Sequence, residues 1–138
     1  MNKNQIFPWD GDKRYNTYIA YQKKKYGERV QKVTVDAGFT CPNRDGTLWS
    51  GGCIYCNNRS FNPGYNNPSK SIQQQIDEGI EFLKRRYKGI KKFIVYFQPF
   101  SNTYAELGKL KAYYEQALSH SEVIGLTIGT RPDCIDFE

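Results

Sequence analysis

The stretch KKFIVYFQPFSNTYAELGKLKAYYEQALSHSEVIGLTIGTRPD, residues 91–133, decides the fold. It begins and ends with short apolar runs, Lys92–Phe97 and Val123–Ile128, whose β-branched and aromatic content is typical of buried strands. Thr103 with Glu106 predicts a capping box ahead of an intervening helix. That helix has an apolar face at Leu107, Leu110, Tyr114 and Leu118. A strand–helix–strand unit of this kind joins parallel strands by a right-handed crossover.

A second unit of the same kind precedes it. Alternation of apolar and polar residues predicts a strand over about Val30–Asp36. After a long loop, Ser71 with Gln74 predicts a capping box for a helix that Gly89 ends. The apolar face of this helix is Ile72, Ile76, Ile80, Leu83 and Tyr87. The sequence therefore predicts an α/β fold with three parallel strands.

Three parallel strands neither close a barrel nor leave a covered sheet, so open edges are expected. We expect the chain to be the N-terminal portion of a larger protein, with the remaining strands missing or supplied elsewhere. Within it, residues 1–29 form a basic, Tyr-rich lead, and residues 30–138 form the regular part.

The net charge of +6 favours an anionic partner such as nucleic acid or a phosphorylated ligand, although a soluble surface accounts for it equally well. Near the N-terminus there is no apolar segment typical of a secretory signal, and the longest apolar run, Phe93–Phe97, is too short to span a bilayer. We expect a cytoplasmic protein with no membrane partner, and in that compartment clustered cysteines indicate metal binding or catalysis before disulfides.

The unusual segments follow the three predicted strands. A cysteine-containing loop follows the first strand, QPFSNTY follows the second, and GTRPD follows the third. Because the carboxyl ends of parallel strands share one rim, we expect these segments to build one site.

The cysteine loop contains TCPNRDGTLWSGGCIYC, residues 40–56, in which eleven residues separate Cys41 from Cys53 and two separate Cys53 from Cys56. Four interpretations compete: a disulfide, a zinc site with Cys134 or His120 as fourth ligand, a Cys-x-x-Cys redox pair, and an iron–sulfur cluster held by three thiolates. A three-thiolate cluster leaves one iron open to substrate or cofactor, and the Gly51–Gly52 backbone suits hydrogen bonds to its sulfides.

The segment GFTCPNRDGTLWSGGCIYCNN resembles the cluster loop of the radical S-adenosylmethionine superfamily. The gap of eleven residues departs from the common motif but is similar to a bacterial subgroup related to the Elongator catalytic subunit. YFQPFSNTYA and IGTRPDC resemble the next two segments of that subgroup. The resemblance implies the N-terminal part of a partial (β/α) TIM-like barrel, with about three of its β/α units.

The resemblance further implies a [4Fe-4S] cluster on Cys41, Cys53 and Cys56, with S-adenosylmethionine bound at the open iron and cleaved reductively to a 5′-deoxyadenosyl radical. A reducing electron donor is then required. The implied cofactor contacts are Tyr55 near the adenine, Gln98, Asn102 and Thr103 near the methionine end, and Thr130 and Arg131 near the carboxylate or ribose. Arg131 suits the carboxylate of the cofactor because guanidinium binds carboxylate bidentately.

Each of these residues also has a purely structural interpretation. Tyr55 fits core packing equally well, Thr103 fits a helix N-cap, Asp133 fits a cap for a following helix, Cys134 fits a buried thiol, and His120 fits a surface position at a helix end. Asn43, Arg44 and Asp45 fit turn formers of the spacer.

Basic residues alternate with tyrosines in the lead, a composition that RNA-binding surfaces use for phosphates and stacked bases. The resembling subgroup is associated with wobble uridines of tRNA, so tRNA is the expected partner by analogy. The alternative is a non-catalytic zinc- or cluster-binding module that contacts RNA.

Overall fold

The computed structural model describes residues 7–9, 13–58, 60 and 62–135, so parts of the predicted lead and residues 136–138 of the regular part lie outside it. Along the described residues the elements are α1 (Tyr18–Tyr26), β1 (Val30–Val35), α2 (Ile72–Arg86), β2 (Lys92–Phe97), α3 (Leu107–Leu118), β3 (Val123–Ile128) and a 3₁₀ turn (Pro132–Cys134).

The strands form one parallel sheet in the order β1-β2-β3. Val30 pairs with Lys92 and Val35 pairs with Phe97, while β2 and β3 pair through one register irregularity. The predicted α/β class with three parallel strands is therefore confirmed, with the first strand ending one residue earlier than expected, at Val35. Within the described part of the chain, β1 and β3 each have a single strand neighbour.

The hydrophobic core lies between one face of this sheet and the helices α2 and α3. Side chains of alternate strand residues enter it, as in the buried row formed by Val33 of β1 and Val95 of β2. The predicted apolar face of α2 is confirmed, because Ile72, Ile76, Ile80 and Leu83 are all buried. Its predicted capping box is also present, with Ser71 and Gln74 each accepting from the other's backbone N–H.

Helix α2 approaches β1 closely at Gly79. A Cβ at this position would lie 2.6 Å from Cγ1 of Val33 and 2.8 Å from the Tyr65 ring, distances that no real Cβ tolerates. The glycine weakens the helix locally but allows the close contact between helix and sheet.

Gln75, fully buried on α2, extends the hydrogen bonding of β1 beyond its last residue. Its Oε1 accepts from Asp36 N at 2.8 Å, and its Nε2 donates to Asp36 O at 2.9 Å and to Lys70 O at 3.2 Å. The side chain thus takes the place of a neighbouring strand where β1 turns into the cysteine loop, so no backbone group of Asp36 is left without a partner.

For α3 the predicted capping box is wrong, and the predicted apolar face is confirmed at Leu110 and Tyr114 but wrong at Leu107 and Leu118. Its N-cap is Glu106, whose carboxylate accepts from Gly108 N and Lys109 N, and Thr103 lies outside the helix. Leu107, at 58% exposure, and Leu118 face solvent, while Ala117 is the buried position and Leu110 packs at the edge of the core. A short helix that buries one alanine and partly buries tyrosines does not carry a sharp apolar stripe.

Helix α1 was missed within the predicted lead, because its only buried side chain is the polar Gln22. Thr17 caps its start through a hydrogen bond from Ala20 N, and Gly27, at φ 77°, ends it in the left-handed conformation. No described helix is long and apolar enough to cross a membrane.

Replacing Gln75 with Ala should lower the free energy of unfolding by about 2–4 kcal/mol, because buried backbone groups of Asp36 and Lys70 lose their partners. Chemical denaturation followed by circular dichroism measures this. Gln73→Ala on the same helix is the matched control and should change stability by less than about 0.5 kcal/mol. Equal losses in the two variants would contradict a special role for Gln75.

Candidate functional site

The three segments that follow the strands are joined at one rim of the sheet. Ser101 N donates to Thr40 O at 3.2 Å and thereby links the segment after β2 to the start of the cysteine loop. Asn102 N donates to Gly129 O at 3.0 Å and links it to the segment after β3. The prediction that the three segments meet at one rim is confirmed.

Asn102 holds the ends of β2 and β3 together. Its side chain is fully buried, and Nδ2 donates to Phe97 O at 3.1 Å and to Gly129 O at 2.8 Å. Its backbone carbonyl accepts from the hydroxyl of Tyr114 on α3. Its Oδ1 is buried with no hydrogen-bond partner in the structure, an unusual state for a buried acceptor. Asn102, predicted to contact a cofactor, therefore has a clear structural task here.

The spacer between Cys41 and Cys53 is a compact turn. Leu48 N and Trp49 N both donate to Pro42 O, and Asp45 bridges to Ser50 in antiparallel fashion. Gly51 and Gly52 follow at φ 88° and 84°, a conformation that favours glycine. The long gap between the first two cysteines is thus a folded unit.

Arg44 is the central side chain of this turn. Its guanidinium lies 5.1 Å from the ring centroid of Phe100, on the segment after β2. On the Gly52 side, a Cβ added to that glycine would lie 3.0 Å from Nε of Arg44. The absence of a side chain at Gly52 therefore leaves room for the Arg44 cation beside the second cysteine. Phe100, whose ring contacts this cation, has a left-handed backbone conformation at φ 64°.

All four cysteines are free thiols. Cys41 is buried, and Cys53 and Cys56 are half-buried on either side of a turn in which Cys56 N donates to Cys53 O at 2.9 Å. Among the described residues, no group of three or more His, Cys, Asp or Glu side chains is arranged to hold a metal ion. The predicted convergence of the three sulfurs on one centre is therefore not seen in this structure.

Cys53 has the environment of a stabilised thiolate. Asn43 Nδ2 donates to Cys53 Sγ at 3.2 Å, and this hydrogen bond is the largest influence that lowers the pKa of Cys53 below its ordinary value. The Tyr55 hydroxyl acts in the same direction, and the charges of Arg131 and Arg44 add to it against the opposing effect of burial. Asn43 and Arg44 were interpreted from sequence as turn formers; in the structure they also surround the thiol.

Tyr55 is 85% exposed, so the interpretation of this residue as core packing is wrong. Its pKa is raised chiefly because its hydroxyl donates to Cys53, and the charges of Cys53 and Cys56 contribute. The ring therefore belongs to the thiol environment while most of its surface faces solvent.

Arg131 points its charge toward the cysteines while it is held by a neighbour. Nε and Nη2 donate to the two carboxylate oxygens of Asp133 at 2.9 and 2.6 Å, and this contact raises the pKa of Arg131 and lowers that of Asp133. Its guanidinium also interacts electrostatically with Cys134 and Cys41. Asp133 thus pairs with Arg131, and the residues after Ile135 that a following helix would use lie outside the described part of the chain.

The remaining predicted residues line the same rim. Thr103 Oγ1 contacts Thr130 Oγ1 and donates to the carbonyl of Cys134, which ties the segment after β2 to the 3₁₀ turn. Gln98 is half-buried directly after β2. Cys134 is half-buried and lines a cavity of about 780 Å³ with Thr103, Leu110 and Asp133.

His120 is not the free surface residue expected. Its Nδ1 accepts from Glu122 N at 3.1 Å, and its Nε2 lies 3.2 Å from a carboxylate oxygen of Asp77 on α2. It follows α3, at the opposite end of the sheet from the cysteine loop, which takes it out of consideration as a ligand beside Cys53.

Comparison with known proteins gives relatives without a stated activity. The chain is 40% identical over 112 residues to YhcC of Escherichia coli, covering 81% of this chain and 35% of the relative. It is 36% identical over 136 residues to YtqA of Bacillus subtilis, covering 98% of this chain and 42% of the relative. It is 42% identical over 123 residues to MJ0486 of Methanocaldococcus jannaschii, covering 88% and 36%.

The chain thus spans well under half the length of the curated relatives it matches, between 35% and 42%. No protein-family model matches it. No solved structure matches it.

The alkylation of Cys53 should begin at a lower pH than that of an ordinary thiol, because its pKa is lowered and the thiolate is the reactive form. Asn43→Ala removes the main hydrogen bond and should move the profile to higher pH. Iodoacetamide labelling of the reduced, metal-free chain across pH, quantified by tandem mass spectrometry, measures both. Asn57→Ala is the control, and a profile unchanged by Asn43→Ala would contradict the assignment.

Replacing Asn102 with Ala should lower the free energy of unfolding by about 1–2 kcal/mol, since two strand-end carbonyls lose a donor. Asn102→Asp should cost more at neutral pH, because it places a carboxylate beside those carbonyls. Denaturation of both variants tests this. If Asn102→Asp proved as stable as the parent chain, the amide would not be acting as the donor.

Proposed function

We propose that the protein is a radical S-adenosylmethionine enzyme with a [4Fe-4S] cluster on Cys41, Cys53 and Cys56. The observation that carries the proposal is the environment of Cys53, where an amide donor and two guanidinium groups favour the thiolate on a loop that holds two more cysteines. Iron–sulfur clusters take thiolate ligands, and hydrogen bonds to sulfur tune their potential.

The residues fit the cluster by donor chemistry. Three free thiols lie on one folded loop, and Asn43 already donates to sulfur. When bound, the cluster would pass on the electron needed for reductive cleavage of S-adenosylmethionine to methionine and a 5′-deoxyadenosyl radical. The three thiols are not gathered in this structure, so holding the cluster would require Cys41, Cys53 and Cys56 to come together.

Arg131 is the residue we assign to the carboxylate of the cofactor. Its bidentate contact with Asp133 is the geometry in which guanidinium recognises a carboxylate. In this proposal the carboxylate of the cofactor competes with Asp133 for the guanidinium. Until the cofactor binds, the ion pair with Asp133 holds the guanidinium in its orientation. Tyr55, Gln98 and Thr130 complete the proposed contacts from the cysteine loop, the end of β2 and the end of β3. Asn102 holds the ends of β2 and β3 in place, so it supports cofactor binding in this proposal without touching the cofactor.

We further propose that the parallel sheet is the N-terminal part of a partial (β/α) TIM-like barrel, and that the substrate is tRNA at a wobble uridine. The first is supported by three parallel strands with α2 and α3 on one face and the predicted site segments at the carboxyl ends of the strands. The second rests on the basic, Tyr-rich N-terminal region and on analogy. A cytoplasmic location and a reducing electron donor are part of the same proposal.

After anaerobic incubation with iron and sulfide, the chain should bind about four iron atoms and become brown. Replacing Cys41, Cys53 or Cys56 with Ser should each abolish iron binding, whereas Cys134→Ser, the matched control, should leave it unchanged. Iron and sulfide analysis with visible spectroscopy provides this readout, and 5′-deoxyadenosine formation with dithionite tests cofactor cleavage separately.

The alternative is a non-catalytic zinc- or cluster-binding module that contacts RNA. The observation in its favour is that the charges of both Cys41 and Cys134 act on the same guanidinium, that of Arg131. A chain that binds one zinc ion, and loses it in Cys134→Ser as readily as in Cys53→Ser, would establish that module and reject the enzyme.

A further inference from the structure

The face of the sheet opposite α2 and α3 is only partly covered. The strand register places Lys32, Ile94 and Gly125 in one row on this face and Thr34, Tyr96 and Thr127 in the next. Ile94 is buried, Tyr96 is half-buried and Lys32 is exposed. A Cβ at Gly125, on β3, would meet no atom within 4 Å. This face therefore presents a cation on β1, an aromatic ring on β2 and open space at β3.

Aromatic rings and one cation form a continuous strip across that face. The Lys32 ammonium lies 6.0 Å from the ring centroid of Tyr18 on α1 and 5.0 Å from that of Tyr96 on β2. The Tyr96 ring reaches the rim, because a Cβ at Gly129 would lie 3.7 Å from its Cε2. Gly129 is followed by Thr130 and Arg131. The strip Tyr18–Lys32–Tyr96 thus runs from α1 to the site.

Helix α1 extends the strip outward with the same combination of groups. Lys25 lies 5.8 Å from the ring centroid of Tyr21 and 5.2 Å from that of Tyr26. Tyr18 is 52% and Tyr21 46% exposed. The helix, YIAYQKKKY, carries three lysines and no acidic residue. The surface of this helix therefore combines exposed aromatic rings with cations, and no carboxylate of the same helix neutralises them.

We propose that α1 and the strip Tyr18–Lys32–Tyr96 bind single-stranded RNA and lead one nucleotide to the rim; this rests on the proposed function. A ring with an ammonium about 5–6 Å from its centre matches a nucleotide, in which base and phosphate are joined through one sugar. An acidic protein partner requires the cations alone and gives no role to the exposed rings. Duplex RNA hides the base faces, so the strip selects unpaired nucleotides.

The experiment measures binding of the whole chain to a fluorescent single-stranded RNA of about ten nucleotides, over a series of salt concentrations, by anisotropy. Tyr18→Ala should weaken binding roughly tenfold because a stacking surface is lost, while Tyr18→Phe should bind as the parent chain does. Lys32→Gln should weaken binding and lower the salt slope by about 0.7, the value for one lost phosphate contact on a single strand.

Lys111→Gln is the matched control, since Lys111 is an exposed lysine on α3, away from the strip. Equal weakening by Lys111→Gln and Lys32→Gln would overturn the proposal, because binding would then follow net charge alone. Full binding in Tyr18→Ala, with losses only in lysine variants, would also overturn it in favour of an acidic partner. Duplex RNA that binds as tightly as the single strand would have the same consequence.

The measurement separates this inference from the proposed enzyme activity. RNA binding is measured without cluster or cofactor, so its outcome does not depend on assembly of the cluster. Loss of cofactor cleavage with intact, Tyr18-dependent RNA binding would reject the enzyme and leave the strip, whereas cleavage without Tyr18-dependent binding would reject the strip and leave the enzyme.

Discussion

The rim depends on a single buried amide. Asn102 donates to the last carbonyl of β2 and to Gly129 just beyond β3, while the adjoining Ser101 N reaches the first turn of the cysteine loop. A parallel sheet fixes its strands along their length but leaves the chain free where each strand ends. The amide removes that freedom where the three segments that follow the strands meet. These segments are therefore positioned by a residue that itself lies out of contact with solvent.

The sequence predicted the parts of the fold that follow a periodic rule. Strands β2 and β3 are runs of β-branched and aromatic residues, and α2 repeats isoleucine at helical spacing, so their bounds were close to those observed. The polar contacts could not be predicted from the sequence, because Gln75 is buried by hydrogen bonds to a residue distant in sequence, Asp36. The N-cap at Glu106 could not be predicted either, because Thr103 fits a capping pattern equally well. In the structure the Thr103 hydroxyl contacts Thr130 and does not cap α3. At the site, the spacing of cysteines identified the loop, whereas Asn43 as a donor to sulfur required the folded turn.

Charge at the site is arranged by side chains that already have partners. Arg44 is held between the Gly52 backbone and the Phe100 ring, and Arg131 is held by Asp133. Neither guanidinium has to be ordered when a thiolate forms beside it. The conformational entropy of these two long side chains is already lost on folding and does not weaken ligand binding. The thiol environment and the proposed cofactor site therefore share side chains that are already fixed in position. The Tyr18–Lys32–Tyr96 strip ends beside them, next to Gly129.

The pairing of Val30 with Lys92 joins residues about sixty positions apart, whereas β2 and β3 pair across about thirty. Loop-closure entropy then favours assembly of β2, α3 and β3 ahead of β1. The cysteine loop lies inside the longer connection, so it is ordered last, when β1 docks and Gln75 takes hold of Asp36. Until β1 pairs with β2, the thiols of this loop remain open to solvent and to oxidation. The length of that exposure is set by how fast β1 pairs with β2.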